Sequence, residues 1–123
     1  MVYLIIGIGG FLGANTRYLL GGWIAARYGT SFPYATMVIN VSGSLVIGFF
    51  LVLISERFIV HPNWRLFFAI GFLGAYTTFS TFTFETFSLI QQRSLLMALM
   101  NMVGSVFLSQ LAVMTGMLLA RML

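Results

Sequence analysis

The sequence predicts an all-α integral membrane protein with four transmembrane helices, the third broken near its middle, assembled as an antiparallel dual-topology homodimer. Three observations carry that prediction. The chain is 60% hydrophobic and 7% charged, with a mean hydropathy of +1.03. A soluble domain carries about 25% charged residues, so lipid rather than water is the expected surroundings. The few charges also mark the ends of apolar runs, since residues 1–16, 28–55, 66–84 and 94–120 carry none. Finally, the arginines divide evenly between the two ends of the expected spans. One membrane domain covering 1–123 follows.

A helix needs about 20 apolar residues to cross the hydrocarbon. Four such stretches fit, at 2–24, 33–55, 64–90 and 96–120. In the first, Gly9-x-x-x-Gly13 has the small-residue spacing that lets helix backbones approach, within one chain or between two. Arg17 lies inside this span, about a turn and a half from its end, where it can snorkel or make a wet vestibule electropositive. No basic segment precedes the stretch, so it is not expected to be a signal peptide. The second span carries Thr36, Asn40, Gly43 and Ser44. The Asn40 amide can serve an anion or a neighbouring helix. His61-Pro62 stops the chain between the second and third spans, and His61 itself has no expected role. The fourth span bears a polar stripe, Asn101, Ser105 and Ser109, at i, i+4 and i+8. Such a stripe either joins helices or lines a path. Trp23, Tyr28, Tyr34 and Trp64 fall near span ends, where an aromatic belt is expected.

The net charge of +4 and isoelectric point near 10.1 do not point to nucleic acid, because the arginines are scattered singly. With four spans, Arg57, Arg65 and Arg121 lie on one side, and Arg17, Arg27 and Arg93 on the other. Three against three, or three against two if Arg17 within its span is discounted, specifies no single orientation. Insertion both ways, and thus an antiparallel pair, is the expectation; a fixed topology decided by other features is the alternative. The chain has no Cys, which removes disulfide scaffolds, thiol catalysis and thiolate metal sites.

The third span holds the densest signal: Gly71-Phe-Leu-Gly74-Ala-Tyr76-Thr77-Thr78-Phe79-Ser80-Thr81-Phe82-Thr83-Phe84-Glu85. Glycine and clustered β-branched threonine both weaken a helix. A break would free peptide groups at several kcal/mol each in hydrocarbon unless protein, water or an ion satisfies them. Freed carbonyls in broken membrane helices take monovalent cations, and with no carboxylate there Na+ fits better than Ca2+ or Mg2+. A kinked but continuous helix, its threonines bonded back to its own carbonyls, is the alternative. Phe79 and Phe82 adjoin on one face, with Ser80, Thr81 and Thr83 adding hydroxyls. A phenyl ring has a positive edge that can meet an anion, although Phe at this spacing is ordinarily packing. Glu85 falls near the end of the span, able to close a path or face headgroup water.

These residues are similar to the signature of the Fluc/CrcB fluoride channels. Gly71-x-x-Gly74 followed by Thr77-Thr78-Phe79-Ser80-Thr81-Phe82 is the specific part. Gly9-Gly10-x-x-Gly13-x-x-x-Arg17-Tyr18, Asn40 with Gly43, and Gly104-Ser105 extend the likeness over essentially the whole chain. The resemblance implies a dual-topology antiparallel dimer in the bacterial cytoplasmic membrane that exports fluoride passively. It also implies two pores, each shared by both subunits, and a central structural Na+ held by the backbone carbonyls of Gly74 and Thr77. By the same resemblance Phe79 and Phe82 are the pore rings and Asn40 an amide donor to fluoride. Ser80, Thr81, Asn101 and Ser105 form a polar track, with Arg17 at the vestibule and Glu85 at the track end. Two positions depart from the family pattern: Asn101 replaces a hydroxyl residue, and Met97 stands where some relatives have Tyr.

A small multidrug-type exporter is the nearest rival, but it needs a carboxylate embedded in the first span, and none is there. A non-transporting assembly subunit would explain the glycines but not the break with its Phe pair. No paired Asp, His-Glu-x-x-His or Ser–base arrangement suggests an enzyme. The expected partners are fluoride, membrane lipid and a second copy of the chain.

Overall fold

Helix α1 spans Val2–Tyr28 and stops at Gly29, whose positive φ of 84° lets its N–H turn back to Ala25 O at 2.9 Å. Arg27 in the last turn rests over the Trp23 ring, 5.4 Å from its centroid, a boundary pairing suited to a membrane edge. Pro33 precedes α2, Tyr34–Val52, which widens into a π-helical turn at Leu53–Arg57 before Phe58 goes extended. Pro62 opens the next helical stretch by accepting from Arg65 N at 3.1 Å. That stretch is π-helical over Arg65–Leu73, and α3, Gly74–Tyr76, completes it. The chain then breaks, and α4, Ser80–Gln91, resumes the crossing. Arg93, with a left-handed φ of 62°, ends α4 and leads into α5, Leu95–Arg121. The computed structural model describes every residue, Met1–Leu123.

Four long helical stretches are thus present and the third is interrupted; the continuous kinked helix is excluded. Three of them, Tyr34–Arg57, Arg65–Gln91 and Leu95–Arg121, are long and apolar enough to cross a membrane. Helix α1 is just as long at 27 residues but is diluted by six glycines, Asn15, Thr16 and Arg17.

Small residues decide which helices touch. A Cβ on Gly9 or Gly13 would collide with the backbone of Phe67 or Phe72, and one on Gly71 would lie 2.7 Å from Ile6 O. The Gly9/Gly13 pair therefore packs α1 onto the Arg65–Leu73 segment of the same chain. A second seam joins α2 to α5, where Gly48 lies against Val113 and Gly116 against Leu45. Ile39, Leu73 and Tyr76 form the core between them, backed by Leu20, Val46, Phe68 and Phe72. Phe68, Phe72 and Tyr76 stack in succession at 5.5 and 6.0 Å, and Phe50 tilts against Phe68 at 4.7 Å. The Tyr76 hydroxyl meets Ser42 Oγ at 2.9 Å, which satisfies a polar tip inside an apolar core. Only 23 of 123 residues are buried. The outside is instead apolar, as Leu99, Val103, Val106 and Phe107 on α5 illustrate, so lipid or another apolar surface must cover it.

Candidate functional site

The break centres on Thr77, whose backbone turns extended (φ −83°, ψ 160°) after the last turn of α3. Both its N–H and its hydroxyl donate to Leu73 O, at 3.0 and 2.9 Å. Thr78 loses its helical partners and gains two from Asn40 on α2. Asn40 Nδ2 donates to Thr78 O at 2.8 Å, and Thr78 N–H donates to Asn40 Oδ1 at 2.8 Å. On the other side, Arg17 Nε donates to Ala75 O at 3.2 Å, placing a cation at the carbonyl end of α3. Two helices therefore brace the interruption, one at each lip.

Other peptide groups at the break have no partner within the chain. The carbonyls of Gly74 and Thr77 accept no hydrogen bond, and the N–H groups of Phe79 and Phe82 donate none; Thr81 N–H reaches Thr78 Oγ1 at 3.3 Å. Free carbonyls end α3 and free N–H groups begin α4. The helix dipoles have the same polarity, negative at the first lip and positive at the second. A cation suits one lip and an anion the other.

A cavity of about 360 Å³ lies against both lips. It brings together Asn40, Gly74, Thr77, Phe79, Phe82 and Ser105 from the sequence-derived set, and its lining holds no charged side chain. The Phe79 and Phe82 centroids are 5.8 Å apart and the rings are tilted by 47°. Phe82 is buried at 8% exposure while Phe79, at 75%, projects from the chain. One ring is part of the core and the other awaits a surface to complete it. Ser109, the third member of the polar stripe read on the fourth span, also lines the cavity, and so do Ser44 and Gln110, to which the sequence gave no site role. Their signal was available: Ser44 is one turn beyond Asn40, and Gln110 adjoins the Ser109 end of the stripe on α5.

The remaining residues stand around this cavity rather than on its wall. Ser80 is exposed and Thr81 half-buried in the first turn of α4. Asn101 lies behind Ser105 at 1% exposure, accepting from Ser105 Oγ at 3.2 Å and donating to Thr86 Oγ1 at 2.8 Å. Glu85 accepts a short hydrogen bond from Thr36 on α2. Thr36 and Thr86 received no site role from sequence, because a threonine in a membrane helix usually bonds its own i−4 carbonyl.

The donor set at the first lip fits a monovalent cation. It consists of neutral carbonyl oxygens at Gly74 and Thr77, and nowhere do three or more His, Cys, Asp or Glu gather as a divalent or transition metal would require.

Residues 4–117 match the family described as CrcB-like protein, Camphor Resistance (CrcB). A protein of Solibacter usitatus (strain Ellin6076) named fluoride-specific ion channel FluC is 49% identical over 121 residues, covering 98% of this chain and 99% of that one. Proteins of the same name from Sulfurihydrogenibium sp. (strain YO3AOP1) and Chloroflexus aurantiacus (strain ATCC 29366 / DSM 635 / J-10-fl) are 45% and 47% identical. They cover 98% and 96% of this chain, and 98% and 94% of their own lengths. The broken span, its paired phenyl rings and the brace from Asn40 thus occur in a multi-pass membrane protein that belongs to the CrcB/FluC family.

Proposed function

We propose that this chain is a fluoride-selective ion channel that lets the anion leave the bacterial cytoplasm passively. The observation that carries the reading is the uncharged cavity at the break, where an amide, a hydroxyl and two phenyl rings converge. Fluoride is small and strongly hydrated, so it needs donors that replace water without holding it. Asn40 Nδ2 has two hydrogens, and Thr78 O engages only one. The ring edges of Phe79 and Phe82 offer positive surface with no mobile charge. A fixed cation midway would trap the anion; the only one nearby, Arg17, is tied to Ala75 O at the opposite lip. There it keeps the vestibule electropositive. Ser80, Thr81 and Ser105 form the track beyond, with Asn101 behind Ser105, and Glu85, held by Thr36, marks its end.

The working unit is an antiparallel homodimer inserted both ways in the cytoplasmic membrane, with two pores. The evenly divided arginines, the apolar exterior and the projecting Phe79 ring support this. The carbonyls of Gly74 and Thr77 hold a central Na+, which would neutralise facing carbonyls where two breaks meet. Gly74 separates this arrangement from a single-chain one. A Cβ there would meet nothing inside the chain closer than Ala69 O at 3.8 Å. Gly74→Ala should leave the subunit folded yet lower dimer yield and flux, measured by size-exclusion chromatography and liposome efflux; unchanged values would remove Gly74 from the interface.

The multidrug-exporter alternative loses ground, because the one embedded carboxylate, Glu85, is engaged by Thr36. Purified protein in liposomes should release fluoride and retain chloride, read with ion-selective electrodes. Fluoride efflux no faster than from empty liposomes would refute the channel.

A further inference from the structure

A chain of hydrogen bonds runs behind the cavity wall from α5 to α4, and chemistry fixes its direction. Phe82 O can only accept, so the Thr86 hydroxyl spends its one proton there, at 2.8 Å. Thr86 Oγ1 must then accept from Asn101, which it does from Nδ2 at 2.8 Å. That orients the amide and leaves Asn101 Oδ1 facing Ser105 Oγ at 3.2 Å, where Ser105 must be the donor. Thr86, Asn101 and Ser105 are all at least 95% buried, and no side-chain polar atom among them is left unpaired. Of the three, only Ser105 reaches the cavity.

Resting on the channel reading above, we infer that Thr86 and Asn101 are a positioning pair that sets how tightly Ser105 can hold a passing anion. Ser105 lines the cavity while its only proton is turned away toward Asn101. An anion gains that proton only by displacing Asn101 Oδ1, which is then left buried without a donor. The exchange is unfavourable enough to keep residence short, as a conducting path with several stations requires. Asn101 is therefore no direct donor in this chain. It competes with the anion for Ser105, and Thr86 keeps it facing the right way. The hydroxyl of Thr86 matters because it accepts from the amide while anchored to the carbonyl of a cavity-lining residue.

The test is fluoride efflux from liposomes as a function of fluoride concentration, with dimer content checked by size-exclusion chromatography. Thr86→Val removes the acceptor that orients the amide, and Asn101→Leu removes the competitor. Either change frees the Ser105 proton. Both should lower the fluoride concentration giving half-maximal flux about fivefold, and lower maximal flux with it. Thr86→Ser keeps the hydroxyl and should stay within about twofold of wild type. Adding Ser105→Ala to Thr86→Val should abolish the affinity shift. A merely structural defect would lower maximal flux and leave the half-maximal concentration where it was. If Asn101→Leu does not fold, Thr86→Val and Thr86→Ala carry the same readout. An unmoved or raised half-maximal concentration, or a Thr86→Ser shift equal to that of Thr86→Val, overturns the inference. Because wild-type flux is the reference, that outcome leaves the channel reading standing.

Discussion

The third span and α5 bring polar groups to the same cavity by opposite means. The third span gives up its helix at Thr77 and exposes peptide groups. Helix α5 stays unbroken from Leu95 to Arg121 and uses side chains alone. At the break, order has to be imposed from outside, by Asn40 from α2 and Arg17 from α1. In α5 the order comes from a closed series of side-chain bonds ending on Phe82 O. The difference teaches where each region is vulnerable. A broken backbone depends on single braces, whereas a continuous helix depends on its seam with the neighbouring helix.

Removing a brace should have the largest effect. Asn40→Leu leaves Thr78 N–H and C=O unpaired, each at about 1–3 kcal/mol. It should lower stability by about 2–4 kcal/mol and stop fluoride efflux, as thermal denaturation in detergent and the liposome assay would report. A loss below about 0.5 kcal/mol would mean that the break holds itself and would end the contrast. A smaller effect is expected in the seam. Gly116→Ala sets a methyl against the Leu45 carbonyl and 2.8 Å from Phe49 N, so α2 and α5 must part, at about 1–3 kcal/mol. Because α5 keeps its own backbone bonds, this variant should lose stability while keeping fluoride-over-chloride selectivity; lost selectivity would show that the seam shapes the path. The smallest effect lies where α4 ends. Arg93 has a left-handed φ of 62°, a conformation that glycine adopts without strain, so Arg93→Gly should raise stability by about 1 kcal/mol. An unaltered midpoint would place the strain elsewhere.

The architecture was legible because its signals are local or compositional. Charge-free runs delimit spans, and Gly71, Gly74, Thr77 and Thr78 weaken a helix wherever they occur. The widening at Arg65–Leu73 was not legible, since no local residue pattern marks it; it lies where Gly9 and Gly13 bring α1 against Phe67 and Phe72. Side-chain pairings across helices were equally hidden. That Asn40 meets the backbone of Thr78, or Asn101 the hydroxyl of Thr86, depends on how two helices are rotated about their axes. A sequence gives each residue's place on its own helix but not that mutual rotation. Gln110 was missed for a similar reason: an amide in α5 gains meaning only once Phe79 is placed across the cavity from it.

The bond pair between Asn40 and Thr78 has a mechanical consequence. A primary amide carries one carbonyl and an N–H in the same plane, as a peptide unit does. Asn40 thus acts as a piece of borrowed backbone, pairing the N–H and C=O of Thr78 where a helical turn is missing. Turning Thr78 away from α2 would break two bonds at once. Thr78 is thereby tied to α2, so the path of the chain between the two lips is set by a neighbouring helix rather than by its own turns.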